Sequence, residues 1–386
     1  MMTKLAVVFI TLVEMVAVTL AAQGDLKMPL PHKEKLELIR PNKNGKGFIG
    51  TDSGARFIVW GVNYDHDDTF RQIEEYWVKE WSTVMGDFKE MKELGANVVR
   101  IHLQLGKFME SPTQPNLQAL QQLAKLVKLA EDTGLYLDIT GLACYHKYEV
   151  PSWYDKLSEA KRWDVQARFW AAVAKVGAKS HAIFCYDLMN EPLLPDSEKQ
   201  KMKEWVTGQL GHSDFFYTQF ITLDLDGRSQ EQVAKQWVDK LAGAIRNEDR
   251  SHMITLGVIP WGVVFPKAED LFYTTKVSEN LDYASVHFYP KSGRIDKDLA
   301  VLATYSIGKP IVVEEMAAMD CSIKELDQFV EGSRKTADGW IGFYWGKTIA
   351  EYTKKKSPRA ACFVAWLKYF HKKAPQIVTP AMSSQK

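Results

Sequence analysis

Cysteine is scarce in this chain. There are four in 386 residues, Cys144, Cys185, Cys321 and Cys362, and none lies close enough to another to give the paired spacing of a zinc or thiol-redox motif. Export would permit disulfides, four cysteines allow three connectivities, and buried free thiols are the alternative. An excess of charge of one sign is also missing. Forty-nine Lys and Arg oppose forty-eight Asp and Glu, a formal net charge of +1, so no global field draws in nucleic acid or an anionic membrane. A neutral or small ligand fits better. Beyond residue 20 no apolar run is long enough to span a bilayer. No stretch rich in Pro, Gly or Ser divides the chain, and one domain is the reading that follows. The Gly-rich turn that a doubly wound nucleotide-binding fold needs after its first strand is absent too, since that position reads Gly61-Val62-Asn63.

What is present is an ordinary share of core-forming residues, 46% hydrophobic against 25% charged, which argues against disorder. Aromatic residues make up 12% and include twelve Trp, suited to stacking on sugars or bases as well as to filling a core. Lys4 precedes an apolar run over 5–20 followed by Ala21, Ala22 and Gln23, the order of a secretory signal peptide. Cleavage after Ala21 or Ala22 is expected, leaving 23–386 as the folded domain of a secreted or periplasmic protein with no membrane attachment. Glu14 inside the run keeps a short uncleaved anchor as the competing reading.

Strand and helix alternate along the rest. The apolar and β-branched runs predict strands at 56–61, 97–103, 135–139, 183–189, 253–258, 283–288, 310–313 and 341–344. Helical spacing predicts helices at 74–94, 117–132, 159–178, 196–208, 229–246 and 360–371, with 209–225 as an insertion. Residues 23–50 read as a polar leader or a short sheet cap. Parallel strands need long crossovers, so this order gives an α/β chain with helices outside a parallel sheet. Eight units favour a closed barrel: a single (β/α)8 TIM barrel with loop insertions.

Barrel enzymes keep their chemistry at the C-terminal ends of the strands. In 184–195 an apolar run stops at Asn190 and Glu191, and Pro192 forbids its continuation. Other predicted strands end at Arg100 and His102, at His287 and Tyr289, at Glu314 and Glu315, and at Trp345. Two glutamates facing one another across a barrel mouth suit hydrolysis of a glycosidic bond, one protonated to assist the leaving oxygen and the other charged toward the anomeric carbon. Their environments must push their pKa values apart. Asn190 is suited to a sugar 2-hydroxyl, Arg100 and Tyr289 to donating to the charged carboxylate, and Trp345 to offering a pyranose ring a flat apolar face. A core Trp capping the barrel is the alternative reading of Trp345.

The chain resembles the family-five glycoside hydrolases, retaining enzymes on an eight-fold barrel that include cellulases and β-mannanases. The resemblance runs from about residue 57 to 366 and rests on Gly95-Ala96-Asn97-Val98-Val99-Arg100, Met189-Asn190-Glu191-Pro192, Val286-His287-Phe288-Tyr289, Lys309-Pro310-Ile311-Val312-Val313-Glu314-Glu315 and Gly342-Phe343-Tyr344-Trp345. It implies Glu191 as acid/base, Glu315 as nucleophile, and Arg100, Asn190, His287, Tyr289 and Trp345 around them. The implied substrate is a β-linked glucan or mannan, cut by a monomer without cofactor or metal. Two positions depart from the family pattern. Met316 and Ala317 stand where an aromatic residue and Gly usually follow the nucleophile, which leaves Glu314 as its rival. The third strand ends Asp138-Ile139-Thr140-Gly141 where a His is common, so either His146 serves from the loop or the subsite differs. Asp65-His66-Asp67-Asp68 contains metal-ligand types, but a rim loop lining a sugar subsite is the reading preferred. A barrel that binds carbohydrate without cleaving it, and a transglycosylase using the same two glutamates, are the alternatives.

Overall fold

A computed structural model describes residues 35–196, 201–209, 214–263, 270–343 and 345–378; the predicted signal segment lies outside them. Nine parallel segments form one sheet, and its order closes a ring of eight staves. These are β1 Val59–Tyr64, β2 Val98–Gln104, β3 Tyr136–Ala143, β4 Ile183–Asp187, β5 in two halves Met253–Thr255 and Gly257–Val258, β6 Ala284–His287, β7 Ile311–Met316 and β8 Gly339–Gly342. The halves of β5 are one run divided at Leu256: the first pairs with β4 (Met253 beside Cys185) and the second with β6 (Gly257 beside Ser285). Closure on the other side sets Gly339 beside Val59 and Trp340 beside Trp60. The expected TIM barrel is therefore the fold, and every residue of β1 to β7 is buried, as in a sheet covered on both faces.

Helices cover the outside because their apolar residues recur on one stripe. In Leu117–Thr133 the buried Leu123, Leu126, Val127 and Ala130 keep helical spacing. Asn116 caps its start by accepting from the N–H groups of Gln118 and Ala119, and Gly134, at φ 68°, ends it in the left-handed region. In Gln230–Glu248, Ser229 and Gln232 form a capping box, and Trp237, Val238, Leu241 and Ile245 are buried. Among the described residues no helix is long and apolar enough to cross a membrane.

The N-terminal end of the barrel is plugged. Residues Ile39–Pro41, Phe48–Gly50 and Arg56–Phe57 make a small antiparallel sheet, the cap expected within 23–50. Phe48 packs edge-on against Phe184 and Tyr283, each with ring centroids 5.3 Å away. Val59, Val98, Val312 and Ile341 complete this cluster. One end of the barrel is thus a sealed core, which leaves the C-terminal end for chemistry.

Two expectations about connections change. Residues 196–208 are not a helix where they are described. Val206–Gln209 is a strand, antiparallel to Phe216–Phe220, which runs parallel to Pro192–Leu193 just after β4. Val206, Thr207 and Gly208 are poor helix formers, and Gly208 takes φ 71°. Between β5 and β6 the helical turns Leu271–Tyr273 and Val277–Asn280 are single 3-10 turns. The hairpin stands at the rim and becomes one wall of the cleft.

Candidate active site

The barrel mouth holds a cleft of about 350 Å³ lined by Glu191, Glu315, Asn190, His287 and Tyr289, with aromatic side chains around them. One carboxylate oxygen of Glu191 and one of Glu315 lie within 4.8 Å of each other, and a nitrogen of His287 lies within the same distance of both.

Glu191 follows β4 in a left-handed conformation, φ 48°, unusual for a side chain with a Cβ. Its N–H donates to the Gly257 carbonyl at 3.0 Å, which holds it there. Backbone strain of this kind gathers at functional sites. Its Oε1 meets His287 Nδ1 at 2.8 Å, while its buried Oε2 has no hydrogen-bond partner. Burial, reinforced by the charge of Glu315, raises the Glu191 carboxyl above its ordinary value against the pull of His287 and Arg100. A carboxyl group raised in this way, with one oxygen unengaged, is suited to holding a proton.

Glu315 has a donor on each oxygen. Arg100 Nη1 donates to its Oε1 at 2.6 Å and the Tyr289 hydroxyl donates to its Oε2 at 2.6 Å. The register shows why Glu314 and Glu315 both reach Arg100 and His287. β7 slips against β6, where His287 pairs with Glu315, and against β8 between Val313 and Met316. Such a bulge lets two consecutive residues face the same side of a sheet. Glu315 lines the cleft. Glu314 is wholly buried, 3.2 Å from His287 Nε2 and 3.5 Å from Arg100 Nη2.

Arg100 ties the floor together. Its Nη2 donates to Asp187 Oδ2 at 2.8 Å and to Asn190 Oδ1 at 3.0 Å, and its Nη1 also reaches Asn63 Oδ1 at 2.9 Å. Asn190 in turn donates from Nδ2 to the Tyr217 carbonyl on the rim hairpin. His287 touches Glu191, Glu314 and, at 3.5 Å, Glu315. Burial alone would lower its pKa, but the charge of Glu315 and the bonds to Glu191 and Glu314 outweigh it and raise the ring to about 10. His102 does the reverse: burial and the Arg100 charge push it well below its usual value, so it is a neutral ring bonded to the Tyr145 hydroxyl.

Two sequence expectations are corrected. Trp345 does not offer its face to the cleft. It is fully buried, and its backbone N–H donates to the Asn63 carbonyl at 2.7 Å. Phe343, two residues earlier, lines the cleft instead. His146 is likewise not at the site. Its Nε2 meets the Phe70 carbonyl at 3.0 Å and its ring packs on Tyr148 and Phe215, behind the cleft wall. Thr140 lies within β3, donating its hydroxyl to Asp187 at 2.8 Å. The acidic loop behaves as a rim loop. Asp67 pairs with Arg71 and Asp68 with Lys347 and Lys355, while Asp65, bonded to His66 Nδ1 at 2.7 Å, lines the cleft.

The residues missed by the sequence are Asp138 and Asp187, with Tyr145, Phe215 and Tyr217 on the walls. A signal for the first two was there. An Asp inside an otherwise apolar strand, as in Leu137-Asp138-Ile139 and Tyr186-Asp187-Leu188, needs a buried partner. All four cysteines are free thiols, Cys144 and Cys185 buried.

Comparison with known proteins agrees with this architecture. The family model for cellulase, glycosyl hydrolase family 5, matches residues 58–348. Mannan endo-1,4-beta-mannosidase A of Emericella nidulans is 22% identical over 320 residues, 72% of this chain and 74% of that protein. Among solved structures, an exo-beta-1,4-mannosidase from Opitutaceae bacterium strain TAV5 superposes with a TM-score of 0.62 at 15% identity, covering 88% of this chain and 62% of its own. The beta-1,4-mannanase of the sea hare Aplysia kurodai gives 0.58 at 15% identity, covering 86% and 96%. At such identities the solved structures speak for the fold alone.

Proposed function

The chain belongs to glycosyl hydrolase family 5, and from that premise we propose that it is a retaining hydrolase of β-1,4-linked mannan. The observation that carries the mechanism is the placing of Glu191 and Glu315 oxygens within 4.8 Å. Retaining enzymes hold their two carboxyl groups about 5 to 5.5 Å apart, whereas inverting ones leave about 6.5 to 9.5 Å for a water.

In this reading Glu191 gives its proton to the glycosidic oxygen as that bond breaks, and a Glu315 oxygen bonds to the anomeric carbon. Glu191, now a carboxylate, takes a proton from water, whose oxygen displaces Glu315 and releases the sugar with its configuration kept. Arg100 and Tyr289 hold Glu315 oriented before attack. Phe343, Tyr217 and Phe215 supply the apolar walls against which pyranose C–H groups pack.

Mannan is preferred because the curated relatives matched are mannan endo-1,4-beta-mannosidases. The family description, cellulase, favours β-1,4-glucan as the second reading. The Lys4 and 5–20 pattern supports export and action outside the cytoplasm. Incubation with β-1,4-mannan, β-1,4-glucan and xylan, followed by product sizing, separates these readings. Mannan-derived oligosaccharides are expected; cleavage of glucan alone reassigns the substrate, and no cleavage of any leaves a binding barrel.

A further inference from the structure

Beneath the two glutamates of the cleft lies a second acidic layer that the hydrolytic scheme does not use. One oxygen each of Asp138 on β3, Asp187 on β4 and Glu314 on β7 lie within 4.8 Å of one another, and all three side chains are fully buried. Asp187 is well supplied with donors. It accepts from Arg100 Nη2 at 2.8 Å, from the Thr140 hydroxyl at 2.8 Å and from the Gly257 N–H at 2.9 Å. Glu314 receives His287 and Arg100 on Oε2, but its Oε1 has no partner. Asp138 has none on either oxygen.

A fully buried carboxylate without a donor is among the costliest groups a protein can keep. The groups facing Asp138 do not relieve it. Arg100 on β2 is engaged by Asp187, Glu315, Asn190 and Asn63. The Cys185 thiol on β4 is within reach of Asp138 but is a weak donor, itself accepting from the Tyr283 hydroxyl of β6 at 3.0 Å. The other group within hydrogen-bonding reach is Glu314. Two acceptors cannot bond to each other, but a single added proton satisfies both.

We propose that Asp138 is a permanent carboxylic acid that donates to Glu314 Oε1, and that this bond positions Glu314 to hold His287 against Glu191. The result is one directed line through the barrel floor: Asp138 donates to Glu314, His287 Nε2 donates to Glu314, and His287 Nδ1 donates to Glu191. No bond to substrate is involved, so Asp138 is a positioning residue. The electrostatics run the same way. Burial and the neighbouring charge of Glu314 push Asp138 well above the carboxylate range, while Arg100, His287 and Asp138 together overcome burial and draw Glu314 down to about 2.

The positioning role rests on the assignment of Glu191 above, but the proton does not, and unfolding tests it without substrate. Above pH about 4 an unfolded Asp is ionised. If native Asp138 keeps its proton, the folded state binds one proton more than the unfolded state. Its contribution to stability then falls as pH rises, about tenfold in the folding equilibrium per pH unit. Asp138→Asn is neutral in both states and keeps an N–H for Glu314 Oε1. In urea unfolding between pH 5 and pH 7, the folding constant of Asp138→Asn should therefore gain about 10²-fold relative to the unsubstituted protein. Asp138→Ala, which removes the donor, should lower kcat with little change in KM, and Asp138→Asn should recover most of that loss. Parallel pH dependences of unfolding for the Asn variant and the unsubstituted protein would overturn the proposal. So would an Asn variant that does not fold, because a neutral amide is the nearest stand-in for a neutral acid. Loss of mannan hydrolysis in every form, with the pH difference in unfolding intact, would reject the enzymatic reading and leave the proton standing.

Discussion

Arg100 Nη1 lies 2.6 Å from Glu315 Oε1 at the floor of the barrel mouth, the Arg100 side chain fully buried and that of Glu315 7% exposed. The same guanidinium holds Asp187 at 2.8 Å, so one planar cation fixes the cleft carboxylate and the layer beneath it. A lysine cannot reproduce that fork. Arg100→Lys should fold and lose on the order of 10²-fold in kcat/KM, the scale of a misplacement of about 1 Å. Arg100→Ala should also lose about 3–5 kcal/mol of stability by stranding buried carboxylates. Denaturation curves and steady-state kinetics on both variants check this; an alanine variant as stable as the parent would show that Arg100 is not the organising cation.

Tyr289 donates to the other oxygen of Glu315 at 2.6 Å. A hydrogen bond to a charged group is worth about 1.5–3 kcal/mol. Tyr289→Phe keeps the ring and removes only the donor, so stability should fall by about 1.5–3 kcal/mol and kcat/KM by roughly 10- to 100-fold. Loss of stability with kcat/KM unchanged would mark Tyr289 as a structural residue only.

His287 sets the pH profile at the alkaline side. Glu191 must be protonated to act, and its carboxyl is raised by burial and by Glu315 while His287 draws it down. Taking away the imidazole removes the opposing influence. In His287→Asn the alkaline limb of kcat/KM should move to higher pH, together with a lower maximum. A limb that stays fixed or moves to lower pH contradicts the assignment of Glu191 as the proton donor.

Gly257 is a glycine of necessity. A Cβ at that position would overlap His287 Nε2 and Glu314 Oε2. Gly257 also gives its N–H to Asp187 at 2.9 Å and its carbonyl to Glu191 at 3.0 Å. Gly257→Ala should therefore displace His287 and cost on the order of 10²-fold in kcat. Near-normal turnover in that variant would mean that the position of His287 is not critical.

The barrel was legible because each stave is an apolar run bounded by punctuation, such as Gly95 before β2 and Pro310 before β7. Strand ends were harder to read. The run from Trp340 to Phe343 is apolar throughout, and only pairing with Val59–Tyr64 stops β8 at Gly342. Composition likewise cannot separate Trp345 in the core from Phe343 in the cleft. Glu191, Glu315, Arg100, Asn190, His287 and Tyr289 were readable because polar residues at the ends of apolar strands converge in a closed barrel. That Glu314 and Glu315 both reach Arg100 and His287 was not, because period-two alternation assumes a regular pleat and β7 carries a bulge. The rim hairpin was missed because its strands are short and include Gly208 in a left-handed turn conformation.

The central claim is that Glu315 forms a covalent bond to the sugar while Glu191 supplies the proton. A 2-deoxy-2-fluoro mannoside with a good leaving group, followed by peptide mass spectrometry, tests it most directly, since the fluorine slows release of the glycosyl-enzyme. The account predicts one sugar on the peptide containing Glu315, absent from Glu315→Gln, and hydrolysis products that first appear as the β-anomer. A label on Glu314, or products released first as the α-anomer with no label at all, would contradict it.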